Sequence, residues 1–435
     1  MAKKVLLINP DPIPRVLPPL GISYIAEILK ANGHQPIMLD MGFDKTLNLD
    51  GIELVGITAT TLIYFDAKSV VQQIKAINPN IPVVIGGTHA SLLPDFVLND
   101  SGCDAVVVGE GEQVMLQIAN GELEPKGVIN APMISDIDSI PFLTYDYFDI
   151  QRYFKHSGAD RIRWSLPQPS VAMIGTRGCP YACTFCASKS LFGRKVRFRS
   201  VANIMQEIDY LVSKYDIKSI YFYDDTLTLR KKWMQELCEE LAKRKLQWIC
   251  GTRVDSVNQE MLQMMKDSGC KYISYGIESG SNRVLKDIIK KGTTIEEAET
   301  ILKLTRKVGI GIIANYMFGL PGETEEDLKL TLAAVKRLPA DAAELSIFIP
   351  LPGTELATDL DWTKYDSTKN PYHQKSPIHT PEFAEIVKNY HRRAVRGFYF
   401  SPQYLLRQTK MLFYPKQLYF AFKSMVRLVR DIVKS

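Results

Sequence analysis

Residues 171–186 read Val171-Ala172-Met173-Ile174-Gly175-Thr176-Arg177-Gly178-Cys179-Pro180-Tyr181-Ala182-Cys183-Thr184-Phe185-Cys186. The first six are apolar, small or β-branched, the pattern of a short buried strand. That strand runs straight into a loop with three cysteines spaced C-x3-C-x2-C. Downstream the same alternation recurs. Apolar, β-branched runs at 219–223, 247–252, 272–277, 311–318 and 344–349 predict strands. Helical spacing near 201–214, 231–244, 256–268, 282–289, 295–307 and 324–337 fills the gaps. The result is six β/α units, two fewer than a closed eight-unit barrel. The pattern therefore predicts a partial, open TIM-like barrel over 171–356, with its chemistry at the strand carboxyl ends.

Polar residues gather at those ends. Asp224-Asp225 follow the second strand, Arg253 the third and Glu278-Ser279-Gly280 the fourth. Gly319-Leu320-Pro321-Gly322-Glu323-Thr324 follow the fifth, and Pro350-Leu351-Pro352-Gly353-Thr354 the sixth. Singly, each reads as a turn or cap: Glu323 for the helix after it, Asp255 or Ser256 for theirs. Together, on one rim, they describe a pocket.

Upstream, strands at 4–9, 37–39, 54–58, 83–85 and 105–108 alternate with helices at 20–32 and 67–77, the first ending at Gly33. This predicts a doubly wound, Rossmann-like parallel sheet, whose ligands sit at strand carboxyl ends. Those ends carry Thr58-Ala59-Thr60-Thr61, Gly86-Gly87-Thr88-His89 and Gly109-Glu110-Gly111-Glu112. His89 alone reads as a hydrogen-bonding loop residue. Between the two units, scattered prolines and the aromatics Phe142, Tyr145, Tyr147 and Phe148 predict a docked linker. The chain thus divides into 1–125, a linker at 126–170, the barrel at 171–356 and a helical, basic region at 357–435, an α/β protein with a C-terminal tail.

At 435 residues, 46% apolar and 23% charged, the chain has ample core and none of the signatures of disorder. No apolar run approaches the ~18–20 residues that span a bilayer, and the four-residue run Val5–Ile8 is no signal-peptide core. The sequence reads as cytoplasmic. Net charge is +5, yet residues 391–435 hold ten Lys or Arg against one acid, so the remainder is acidic. A globally basic nucleic-acid binder is excluded on that balance. Within the tail, Lys416, Lys423, Arg427, Arg430 and Lys434 share one face of a helix whose other face carries Leu418, Phe422, Met425 and Val429. Such a helix suits peripheral contact with an anionic inner membrane face, and so a small-molecule or lipid-linked substrate.

Seven cysteines, an odd number, argue against a disulfide framework. Cys103, Cys238, Cys250 and Cys270 are scattered and read as small core residues. Cys179, Cys183 and Cys186 are soft ligands that suit zinc or an iron–sulfur cluster. Structural zinc takes four ligands, and no fourth Cys or His lies nearby. Three thiolates on a 4Fe–4S cubane leave one iron open to a small molecule. No Ser/His/Asp triad, P-loop or His-rich zinc motif offers another chemistry.

The cysteine motif, with Phe185 before its last cysteine, resembles the radical S-adenosylmethionine superfamily. In that family the open iron takes the amino and carboxylate groups of S-adenosylmethionine, and an electron cleaves it to methionine and a 5′-deoxyadenosyl radical. The resemblance implies roles on the rim: Asp225 at the methionine amino group, Arg253 at its carboxylate, Glu278 at the ribose hydroxyls, Leu320 and Ile349 at adenine. Pro18-Pro19-Leu20-Gly21 and the glycine-rich strand ends are similar to the cobalamin-binding branch, which implies Thr58, Gly86, Gly87, His89, Gly109 and Glu110 as cobalamin contacts. The D-x-H-x-x-G motif is absent, so cobalamin would bind without a protein histidine. The connection 40–53 is short for a helix. The implied function is a cobalamin-dependent methyltransferase acting on an unactivated centre, fed by ferredoxin or flavodoxin. A radical cyclase or rearrangement enzyme of the anaerobic magnesium-protoporphyrin ester cyclase type is the alternative, and a non-catalytic cluster-binding protein the remote one. Neither the catalytic proton donor nor the substrate is readable from the sequence.

Overall fold

A computed structural model describes residues 2–156, 166–358 and 379–402, with Tyr404 and Leu406. Strands β1 (Lys4–Asn9), β2 (Gln35–Asp40), β3 (Leu54–Thr58), β4 (Val83–Gly86), β5 (Ala105–Val108) and β6 (Gly127–Asn130) form one parallel sheet, in the order β2-β1-β3-β4-β5-β6. Side chains alternate across it. Val5 and Leu7 face the helices Leu20–Ala31 and Gly111–Asn120, whereas Leu6 and Ile8 face Tyr64–Ile77. Burial on both faces is why the inner strands β1, β3, β4 and β5 read as largely apolar runs. The order reverses between β1 and β3, the switch point where such sheets open a crevice.

The structure adds β6, which lies inside the segment read as a linker. Its two apolar residues, Val128 and Ile129, are too few to announce an edge strand. Residues 41–53 cross from β2 to β3 without a helix, as their length implied. Leu47 and Leu49 cover the sheet instead. Gly33, at φ +83°, ends the first helix as expected.

The second sheet contains β7 (Ser170–Met173), β10 (Ser219–Phe222), β11 (Gln247–Thr252), β12 (Cys270–Glu278), β13 (Gly311–Phe318) and β14 (Ala342–Ile347), all parallel and in sequence order. Among the described residues its two outer strands, β7 and β14, do not pair, so the barrel described is open, with six strands. A small antiparallel pair, β8 (Thr176–Arg177) with β9 (Arg197–Phe198), closes the base of the cysteine loop. Four barrel helices, Val201–Tyr215, Gln259–Asp267, Ile295–Val308 and Glu325–Arg337, start on side-chain caps, and two of those caps differ from expectation. Asn258, not Asp255 or Ser256, accepts from Met261 N at the helix Gln259–Asp267. Thr324 with Asp327, not Glu323, caps Glu325–Arg337. Both supposed caps are engaged at the rim described below.

The segment between the sheets grips both. Glu27, on the first sheet's helix, accepts from Thr144 Oγ1 (2.8 Å) and Tyr145 N (3.1 Å). Tyr215, on a barrel helix, donates to Thr144 O (2.7 Å). The helix Pro381–Tyr399 covers the outer strand β14, where Tyr399 donates to Ala343 O (2.6 Å) and His391 bonds Leu345 O (2.9 Å). Covering an exposed strand edge removes a template for aggregation. The amphipathic run Lys416–Lys434 lies outside the described residues.

Candidate functional site

The carboxyl ends of β1, β3, β4 and β5 open onto a cavity of about 570 Å³ whose far wall belongs to the barrel. Thr58, Gly86, Gly87, Gly109 and Glu110 line the near side; Thr176, Arg177, Tyr223 and Asp225 line the far side. Gly87 has φ +96°, and a Cβ there would stand 2.8 Å from Ala59 O, so only glycine fits that turn.

His89 is not part of this wall. Its ring packs 4.6 Å from the Tyr64 ring, and Nδ1 meets Thr61 Oγ1 at 3.2 Å. Burial pushes its pKa down to about 4, so it is neutral and turned inward rather than toward a ligand. Glu110 lines the cavity, but its carboxylate is taken by protein partners: Arg177, Arg197 and Ile134 N. His89 is thus corrected as a cobalamin contact, whereas Glu110 stays at the cavity wall with its carboxylate tied to protein. The sequence pattern could not distinguish a strand-end residue facing the cavity from one turned into the fold.

The cysteine loop is anchored from beneath. Thr184 donates through N to Ile289 O (3.2 Å) and through Oγ1 to Ile288 O (2.8 Å). Phe185 packs on an apolar cluster of Val284, Leu285, Ile289, Leu320 and Phe348. All seven cysteines are free; Cys179, Cys183 and Cys186 are part-exposed, whereas the four others are buried. Among the described residues no three His, Cys, Asp or Glu side chains converge at the spacing of ligands to one metal ion. A cubane instead holds each thiolate on a different iron, so its ligands stand further apart. By its chemistry, three soft thiolates on one loop, the donor set fits a cluster with one open iron.

Above the loop the rim residues differ in what they are free to do. Asp224 is buried and accepts from Gly175 N (3.1 Å) and Thr176 Oγ1 (2.6 Å), and burial lifts its pKa to about 6. It braces the turn from β7 into β8, while its neighbour Asp225 accepts from Ser188 Oγ and faces the cavity. Arg253 stacks on Tyr181, with its Cζ 3.6 Å from the ring centre. Its fork is engaged by Asp255 (2.9 and 2.7 Å) and Lys291 O (2.6 Å), leaving Nη1 3.6 Å from Cys183 Sγ. So Asp255 orients Arg253 rather than capping a helix.

Glu278 stands at a bulge where β12 shifts register against β13, with φ +68°. Its Oε1 accepts from Lys291 Nζ at 2.8 Å. The carboxylate folds back over Gly276, where a Cβ would lie 2.2 Å from Oε1. A non-glycine residue held at positive φ is a strained one, here at the carboxyl end of a barrel strand. Lys291 and Ser188 were missed from sequence. Lys291 is indistinguishable there from exposed Lys290, and only the fold turns it inward.

Leu320 is fully buried in the apolar cluster, so only its backbone borders the rim; Ile349 is half-buried just past β14. Glu323 Oε2 accepts from Gly319 N (2.6 Å) and Leu320 N (3.0 Å), fixing that turn, while Oε1 is buried without a partner. Burial pushes its pKa up to about 7. The folded protein thus keeps a proton that the unfolded chain releases above about 4.5, and this contribution to stability falls as pH rises from about 4.5 to 7, by at most about 3 kcal/mol. In Glu323→Gln that loss is absent. Its melting temperature relative to the unsubstituted protein should climb across this window and level off above it, and a pH-independent difference would contradict the assignment.

Residues 173–335 match the radical SAM superfamily, and residues 11–119 match the B12 binding domain. An uncharacterized methyltransferase of Pyrococcus horikoshii is 31% identical, covering 93% of this chain and 94% of its own. The anaerobic magnesium-protoporphyrin IX monomethyl ester cyclase of Rubrivivax gelatinosus is 29% identical, over 86% of this chain and 73% of its own. Among solved structures, the radical S-adenosylmethionine methyltransferase TsrM from Kitasatospora setae, with cobalamin and a 4Fe–4S cluster bound, superimposes with a TM-score of 0.66. That match has 19% identity and covers 82% of this chain and 77% of the other.

Proposed function

The chain belongs to the radical S-adenosylmethionine superfamily, in the branch that carries a B12-binding domain, and from that premise we propose that it is a cobalamin-dependent methyltransferase acting on an unactivated centre of a small or lipid-like molecule. The observation that carries the reading is the single cavity shared by the strand ends of the B12-binding unit and the Asp225 rim of the barrel. When bound, the 4Fe–4S cluster and S-adenosylmethionine supply a hydrogen-abstracting radical, and cobalamin supplies methyl transfer.

The chain's own residues bind and orient. Cys179, Cys183 and Cys186 would hold the cluster. Asp225, aligned by Ser188, would accept from the methionine ammonium. Arg253 offers Nη1 on the Cys183 side, with Asp255 keeping its plane fixed. Glu278 would accept from ribose hydroxyls, its remaining oxygen free of Lys291. Backbone at Leu320, with Ile349, would border adenine. Thr58, Gly86, Gly87 and Gly109 would form the cobalamin wall. With His89 turned away, the bound cobalamin should show the spectrum of one without histidine ligation.

A low-potential one-electron donor of ferredoxin or flavodoxin type is the partner this chemistry needs. Anaerobic incubation with reductant, cobalamin and S-adenosylmethionine should release both 5′-deoxyadenosine and S-adenosylhomocysteine. Release of 5′-deoxyadenosine alone, from active protein free of cobalt, would favour the cyclase or rearrangement reading that the Rubrivivax relative supports. Neither product under any reducing condition would refute both. No described helix is long and apolar enough to cross a membrane. Peripheral contact through the basic tail rests on sequence, and flotation on anionic liposomes should be lost when the chain is truncated after Phe400. Equal flotation of both forms would contradict it.

A further inference from the structure

The loop holding the three cysteines is closed at its base where Arg177 of β8 faces Arg197 of β9. Both arginines turn to one carboxylate of the other sheet. Arg177 Nη1 lies 2.9 Å from Glu110 Oε1, and Arg197 Nη1 lies 2.6 Å from Glu110 Oε2. Arg177 Nη2 adds a 2.6 Å contact to Glu112 Oε1. Glu110 and Glu112 follow β5, at the cavity wall. No side chain of the four is more than 11% exposed. The same carboxylate takes Ile134 N (2.7 Å), while Arg197 donates to Ile134 O (2.6 Å), so the connecting segment is tied in as well.

Two cations and two anions compensate one another in a dry place. Buried ion clusters of this kind add little net stability over apolar packing, and their best-attested use is to fix register. The register fixed here is between two units whose interface would by default allow relative motion. A single carboxylate spans both arms of the loop base, so moving it moves the whole loop against the cavity.

We propose that Glu110 is a positioning residue: by bridging Arg177 and Arg197 it sets where the cysteine loop stands relative to the cavity wall of the first sheet, without itself contacting the ligand there. This rests on the reading above, in which the loop holds the cluster and the cavity holds cobalamin. The arginines, in turn, outweigh burial and hold the Glu110 carboxyl below its ordinary range, as a permanently charged tie requires.

The test uses reconstituted holoprotein carrying iron and cobalamin. Its readouts are hydrogen exchange of residues 176–198 and the spin–spin distance between the reduced cluster and cob(II)alamin. Glu110→Gln should load both groups at the unsubstituted stoichiometry, exchange the loop base roughly tenfold faster or more, and broaden the distance distribution. Glu112→Gln, which removes only one arm's second contact, should do less. Should Glu110→Gln fail to fold, Arg177→Lys decides, since it keeps the charge but loses the fork spanning both glutamates and should loosen the loop in the same direction. Unchanged exchange and distance in the folded variants would overturn the proposal. So would loss of cobalamin uptake by Glu110→Gln with loop exchange unchanged, which would make Glu110 a ligand contact. Absence of iron from the unsubstituted protein would instead refute the proposed function, leaving loop-base exchange to judge this inference alone.

Discussion

Replacing Cys179, Cys183 and Cys186 together by alanine is expected to abolish iron uptake, where the unsubstituted protein reconstituted without oxygen should take about four irons per chain. The three thiols differ from the others in place as well as spacing. They are part-exposed on a loop, whereas Cys103, Cys238, Cys250 and Cys270 are buried. Burial raises the pKa of Cys186 to about 11 and that of Cys179 as well, so these thiols are protonated until a positive group arrives. Metal ligation supplies that charge and releases the protons. The fold should survive the triple substitution, because Thr184, Phe185 and the β8–β9 pair anchor the loop independently of sulfur. Iron and sulfide analysis with electron paramagnetic resonance is the check. Stoichiometric zinc in place of iron, or full iron retention by the triple variant, would contradict the cluster assignment.

The second large effect is at Glu278. Removing its carboxylate leaves Lys291 a buried cation with its partner gone, and losing one member of a buried pair costs about 3–5 kcal/mol. Glu278→Ala should therefore lower the melting temperature by several degrees and also abolish measurable S-adenosylmethionine binding. Those two losses are separable. Glu278→Ala combined with Lys291→Met removes both charges and should recover most of the stability but none of the binding. Gly276→Ala attacks the same residue through space, since its Cβ falls on the carboxylate. Calorimetry alongside S-adenosylmethionine titration distinguishes the outcomes. If the double variant also regains binding, Glu278 is structural and the ribose role fails.

The barrel was legible because its strands recur between stretches of helical spacing, the inner ones such as Gly311–Phe318 carrying mostly apolar residues. The edge strand Gly127–Asn130 was hidden, because an edge needs only two apolar residues to hold its place. The cysteines were legible from spacing alone. Asp224 and Asp225 were indistinguishable in sequence. The turn of the chain after β10 sends one beneath Gly175 and Thr176 and the other into the cavity. His89 misled because a strand-end motif fixes where the backbone goes, while the side chain's direction is set by distant partners, here Tyr64 and Thr61. Lys291, which joins Glu278 to Arg253 through its side chain and its carbonyl, had no signal in the sequence beyond being one of two adjacent lysines.

In the proposed function one cavity brings cobalamin to the rim of the barrel. Gly86 lines that cavity, and a Cβ there would meet nothing closer than Val107 O at 4.0 Å, so Gly86→Val fills space without straining the backbone. The deciding measurement is cobalamin uptake, followed by absorbance in protein already carrying its iron. One cobalamin per chain is expected in the unsubstituted protein, with uptake at least tenfold weaker in Gly86→Val and iron content and S-adenosylmethionine binding unchanged. No cobalamin in the unsubstituted protein, or equal uptake by both, would contradict the account.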